Sequence, residues 1–87
     1  MERVLIDRAR AALRAGQAQR ARQVLRRHAK RFPRGFLAEE RQSLVVRVLV
    51  KMGRRDLARK KAKRFLKRYP KSLQRRRVER ALKGTAP

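Results

Sequence analysis

Shifted by 37 residues, the sequence falls onto itself, and this internal repeat restricts the possible folds more than any other feature of the chain. Gly16 lands on Gly53, Ala21 on Ala58, Phe32 on Tyr69, Pro33 on Pro70 and Gly35 on Ser72. Apolar positions obey the same shift: Ala9 on Val46, Ala12 on Leu49, Leu13 on Val50, Leu25 on Ala62, Ala29 on Leu66 and Phe36 on Leu73. A unit of this length cannot bury its apolar face alone, so the copies must stack.

Each copy reads as a helical hairpin. Between Arg3 and Ala15, Val4, Leu5, Ala9, Ala12 and Leu13 recur at helical spacing, and Gly16 supplies the left-handed residue that ends a helix. A second helix places Ala18, Ala21, Val24, Leu25, His28, Ala29 and Phe32 on one face and stops at Pro33. The next segment, Phe36 to Met52, is the one stretch where large apolar residues outnumber charged ones. Its LVVRVLV core also suits a strand, but its register in the repeat, closed by Gly53, makes it a helix coated on two sides and hence the hub of the core. Arg55 to Tyr69 repeats the second helix through Leu57, Ala58, Ala62, Phe65, Leu66 and Tyr69 and ends at Pro70. A last helix after Ser72, a good N-cap, packs Leu73, Val78, Ala81 and Leu82. The expectation is an all-α fold of five helices in a single domain over 1–83. Its units span about 3–35 and 36–72, followed by a capping helix over about 73–83 and a flexible tail at 84–87.

The run Ala12, Leu13, Gly16, Ala21, its counterpart Leu49, Val50, Gly53, Ala58, and the closing Pro33 and Pro70 resemble tetratricopeptide repeats. The endings Phe32 to Gly35 and Tyr69 to Ser72 look most like repeats of bacterial cell-envelope assembly proteins. The resemblance implies a right-handed stack of antiparallel hairpins, here two and a half repeats, used as a scaffold. It also implies an inner groove built from the first helix of each pair. Positions matching that groove include Arg3, Ile6, Arg10, Leu13, Arg14, Ser43, Arg47, Val50 and Lys51. An acidic peptide or acidic C-terminal tail would be its ligand, although Ile6 and Leu13 replace polar members of the family's carboxylate clamp.

Composition narrows the chemistry. In 87 residues, 29 Lys and Arg face six Asp and Glu, a formal charge of +23 that opposes compaction and calls for a polyanionic partner. There is no cysteine, hence no disulfide and no thiolate metal site. No segment approaches the ~20 apolar residues of a membrane span, and Met1 to Arg10 lacks the apolar run of a signal peptide, so a cytoplasmic protein is expected. The single histidine, His28, belongs to a packing face, and Ser43 and Ser72 sit at a helix surface and a helix start, so no triad and no metal cluster is suggested. We expect no catalysis and no cofactor. Glu39 and Glu40 are read as favouring a helix N-terminus.

The basic residues carry the functional expectation. From Arg54 to Arg77, 13 of 24 residues are Lys or Arg, with Asp56 the lone acid. On the helix Arg55 to Tyr69, Lys60, Lys63, Arg64 and Lys67 point away from the core, flanked by Arg59, Lys61 and Arg68. The last helix opens against the usual charge preference, with Lys71, Arg75, Arg76 and Arg77 near its start, an arrangement that a phosphate on the N–H groups after Ser72 would favour. The reading is a nucleic-acid-binding surface for DNA or RNA, working through counterion release and made of Arg54, Arg55, Arg59, Lys60, Lys63, Arg64, Lys67, Arg68, Lys71, Arg75, Arg76 and Arg77. Phe32, Phe36, Phe65 and Tyr69 are assigned to packing or helix ends, which leaves no aromatic platform for bases. The alternative is the peptide groove, with Arg3, Arg10, Arg14, Arg47 and Lys51 as its cations. Self-assembly into a homo-oligomer through exposed Ile6 and Leu73 to Leu82 edges is a further option. Anionic lipid is weaker, because the apolar faces are committed to the core.

Overall fold

The computed structural model describes residues 1–83, and the tail expected at 84–87 lies outside them. Five α-helices follow one another: α1 (Glu2–Arg14), α2 (Ala18–Arg31), α3 (Ala38–Lys51), α4 (Arg55–Arg68) and α5 (Arg75–Lys83). The strand alternative for LVVRVLV is excluded, since that segment lies within α3.

The repeated punctuation works as backbone chemistry demands. Gly16 and Gly53 adopt φ of 77° and 76°. At each, two N–H groups reach back to orphan carbonyls: Gln17 to Ala12 (2.8 Å) and Gly16 to Leu13 (3.1 Å), then Arg54 to Leu49 (2.9 Å) and Gly53 to Val50 (3.0 Å). This is the Schellman closure, and it turns the chain tightly into α2 and α4. At the other end of each hairpin, Phe32 and Tyr69 leave helical geometry with ψ of 61° and 64°, as residues preceding proline must.

Hairpins α1–α2 and α3–α4 stack, α5 closes the far side, and α3 packs against every other helix. One apolar cluster joins Ile6, Ala9, Leu13, Leu25, Leu44 and Val48, and a second joins Val46, Ala62, Phe65 and Val78 on the other side of α3. The apolar excess of this segment thus serves two cores.

Some boundaries and exposures depart from expectation. Helix α3 begins at Ala38 rather than Phe36, and α5 at Arg75 rather than just after Ser72. Each preceding loop makes two successive turns, Gly35 N–H to Phe32 and Ala38 N–H to Gly35, repeated as Ser72 to Tyr69 and Arg75 to Ser72. The residue at each loop tip is pushed into water, so Phe36 and Leu73, both assigned to packing, are 99% and 93% exposed. Ile6, expected at the groove or an assembly edge, is fully buried, Leu13 and Ser43 are buried with it, and Val4 is exposed. A first-layer helix of a stack has a neighbour on two sides, so its shared face lies in the interface rather than the groove.

Polar side chains fasten the first joint between units. The Glu2 carboxylate at the start of α1 accepts from His28 Nε2 (3.1 Å) and from the Leu37 N–H in the α2–α3 loop (2.8 Å). On the opposite ring nitrogen, Arg41 of α3 donates to His28 Nδ1 (3.2 Å), and the same guanidinium reaches the carbonyls of Phe32 (3.1 Å) and Pro33 (3.5 Å). His28 is therefore the neutral Nε2–H tautomer, and burial, with Arg41 adding to it, pushes its pKa below 6.5 despite the pull of Glu2. A Cβ at Gly35 would stand 2.1 Å from a Glu2 oxygen, so a larger residue there would have to displace that carboxylate from the joint.

The second joint uses the same plan with other residues. Glu39, the repeat mate of Glu2, accepts the Ser72 hydroxyl proton (2.6 Å), and Ser72 Oγ accepts the Gln74 N–H (3.0 Å). Where the first joint has His28 and Arg41, the second has Phe65 and Val78, both fully buried.

Candidate functional site

Helices α1, α3 and α5 form one layer, with α3 touching both of its neighbours, and α2 and α4 lie on the other side without packing on each other. The basic residues therefore divide between two faces, and each has to be considered with the acids near it.

On the first-helix layer, Glu40 of α3 is gripped by Arg10 of α1, with Arg3 at 3.7 Å. Two of the five expected groove cations are thus spent on an internal carboxylate. Glu40 does more than favour its helix N-terminus, since it ties the two first helices together. Arg14 and Lys51 are exposed near the ends of α1 and α3. Arg47, the repeat mate of Arg10, differs from all of these. It is half-buried, its pKa is lowered first by burial and then by the charges of Arg77 and Arg10, and among the described residues no carboxylate pairs with it. The charges of Arg10 on α1 and Arg77 on α5 thus both bear on Arg47, while Glu40, the acid that reaches across this layer, is already engaged by Arg10.

The expected nucleic-acid surface is divided by the fold. Arg54, Arg55, Arg59, Lys60, Lys63, Arg64, Lys67 and Arg68 are exposed on α4 and its entry. Within this set, Asp56, itself in open solvent, lies 3.8 Å from Arg59, and Arg68 lies over the Tyr69 ring at 5.7 Å. Lys60, Lys63, Arg64 and Lys67 pair with no acid among the described residues. Arg77 belongs instead to the α5 face beside Arg47. Lys71 and Arg76 are exposed, and Arg75 is engaged by Glu79 (3.4 Å) and the Pro70 carbonyl (3.2 Å).

At the corner where a phosphate is expected after Ser72, the chain supplies a carboxylate of its own, and the Gln74 N–H is taken by Ser72 Oγ. The Ser72 hydroxyl is held by Glu39, so the anion at that turn is an internal carboxylate, placed there by the stacking of α3 beside the loop. Phe36, assigned to packing, is instead exposed at a loop tip as a single ring.

Both His28 nitrogens are occupied within the buried joint, and no group of three metal-ligating side chains occurs among the described residues. No helix among them is long and apolar enough to cross a membrane. Sequence reasoning missed Glu2, Arg41 and Glu40 as architectural residues. A signal was present in the repeat register: Glu2 and Glu39 agree, while His28 with Arg41 gives way as a pair to Phe65 with Val78.

Comparison with known proteins agrees with this architecture. Neither curated proteins nor solved structures yield a match to the chain. The Tetratricopeptide repeat family matches at residues 3–35 and 46–72, which correspond to the α1–α2 unit and most of the α3–α4 unit. Repeats of this kind mediate protein–protein interaction. Helical hairpins closed by Gly16 and Gly53, two units in register and a terminal helix over the last core make this chain a member of the tetratricopeptide repeat family.

Proposed function

We propose that this protein is an interaction scaffold whose first-helix face receives an acidic peptide, with Arg47 as the principal anion contact. The observation that carries the reading is the state of Arg47, a half-buried cation crowded by Arg10 and Arg77 and lacking a carboxylate among the described residues. A guanidinium already partly stripped of water loses less on binding, and its planar fork suits a carboxylate bidentately. Arg14 and Lys51 extend the cationic surface along the same layer. Arg3 and Arg10 take part less, because Glu40 offsets them.

A labelled acidic peptide titrated by fluorescence anisotropy tests the proposal. Arg47→Glu should weaken binding by about ten-fold or more, since a charge-assisted hydrogen bond is replaced by repulsion. Unchanged affinity would refute the assignment.

The nucleic-acid reading keeps one observation of its own, the unpaired cations Lys60, Lys63, Arg64 and Lys67 on the outer face of α4. Duplex DNA and an RNA hairpin titrated beside the peptide separate the two. Charge reversal at Lys60, Lys63 and Lys67 should abolish a steeply salt-dependent nucleic-acid affinity while leaving the Arg47-dependent peptide affinity in place.

A further inference from the structure

Helices α2 and α4 do not touch, and the space between them is a cleft of about 410 Å³ whose base is α3. Its floor is apolar, formed by Leu25 of α2, Val45 and Leu49 of α3, and Leu57 of α4. Its walls carry Arg22 and Arg26 on α2 and Lys61 and Arg64 on α4. No Asp or Glu lines it. Arg41 reaches one end, but its guanidinium is committed to His28 and the loop carbonyls. Arg22 is perturbed by burial, then by Arg26 on its own helix and by Arg54 at the entry to α4, so like charges gather at this wall.

We infer that this cleft is a second docking site, on the face opposite Arg47, for an acidic amphipathic segment of a partner protein. In this arrangement apolar side chains enter the floor, and Asp or Glu one turn away meet the cationic walls. Each half of the site selects part of that ligand. Removing apolar floor from water rewards Leu or Phe and gives nothing to a phosphate backbone, which needs only charge. Walls of one sign with no internal counterion reward carboxylates and reject neutral peptides. The volume lies within the usual range of ligand pockets and holds a few large side chains at the i, i+3, i+4 spacing of a bound helix. A second copy of the chain does not meet the demand. It carries six acids against 29 bases, and Glu2, Glu39 and Glu40 are tied up in its own joints.

The test uses the full chain and a labelled helical peptide with Leu on one face and Glu on the other, together with a Leu→Ser version of equal charge and a duplex DNA. The double variant R26E/R64E reverses one cation on each wall at exposed positions, and Ala29→Phe fills the cleft from a half-buried position whose repeat mate is Leu66. Circular dichroism checks the fold of each. Expected are losses of about ten-fold or more for the Leu/Glu peptide with R26E/R64E, with Ala29→Phe and on Leu→Ser exchange, each of which persists in an Arg47→Glu background. The inference is overturned if both cleft variants bind the peptide as the parent does. It also falls if the Leu→Ser peptide binds equally well, or if Ala29→Phe weakens the duplex as much as the peptide. Loss with Arg47→Glu alone would remove the cleft and leave the first-helix site standing, whereas indifference to every variant would remove both.

Discussion

The exchange of His28 and Arg41 for Phe65 and Val78 between units lets the polar joint be rewritten with the protein's own alternative. Arg41→Val alone strands His28 Nδ1 in a buried corner and leaves the Phe32 carbonyl with the Gly35 N–H as its remaining donor. The orphaned ring nitrogen costs about 1–3 kcal/mol, and a loss of that size follows. His28→Phe alone takes a partner from Glu2 and leaves the Arg41 charge against an aromatic ring, for about 1–3 kcal/mol. Made together, the two changes remove a buried cation and its acceptor at once and put an apolar pair in their place. Such replacements are neutral or stabilising in other cores, so the double variant should be more stable than Arg41→Val alone. The coupling should reach about 2 kcal/mol in favour of the pair. Urea unfolding with comparison of midpoints and m-values reads this directly, and in a domain of this size 1 kcal/mol moves Tm by about 4–8 °C. Additivity within about 0.5 kcal/mol would refute the claim that His28 and Arg41 act as one unit.

Because burial holds the His28 pKa below its unfolded value of 6.5, its neutral form supports folding above that pH. Its contribution should fall as pH drops from 6.5 towards the lowered folded value, with urea midpoints declining over that window in the parent but not in His28→Phe. The Glu2 pKa is lowered chiefly by the Leu37 N–H, so a further loss should appear below the ordinary 4.5, visible as a second decline that Glu2→Gln removes. Gly53→Ala meets no atom within 4 Å, yet it must hold φ at 76°. It should cost about 1–2 kcal/mol by urea unfolding, a purely conformational penalty. The buried Ser43 hydroxyl has no partner among the described residues, so Ser43→Ala should raise stability by about 1 kcal/mol in the same assay.

Backbone punctuation was the most legible part of the fold. Gly16, Gly53, Pro33 and Pro70 act through their own φ and ψ, and such local constraints survive in a linear text. The apolar hub at α3 was legible because its coating exceeds what one neighbour can cover. What escaped was whatever depends on the partner across a joint. Ile6 and Leu13 look like groove residues by position, yet the stacking of α3 on α1 buries them. Phe36 and Leu73 look like core residues by type, yet paired turns lift them out. Glu2, His28 and Arg41 are separated by whole helices, so their contact follows only once the stack is built.

The acids explain why so little of the charge is internally balanced. Glu2, Glu39 and Glu40 all sit in the first turns of α1 and α3, where they favour the helix dipole, and each also reaches across to another element. Stacking thus consumes half of the six carboxylates in the chain. Of the other three, Asp56 and Glu79 make exposed pairs within their own helices, which contribute little, and Asp7 is exposed without a partner among the described residues. The units are joined by acid, and both outer faces are left to cation. A partner that supplies carboxylates to Arg47 on one face, or to the walls of the α2–α4 cleft on the other, would complete a charge balance that the chain by itself leaves open.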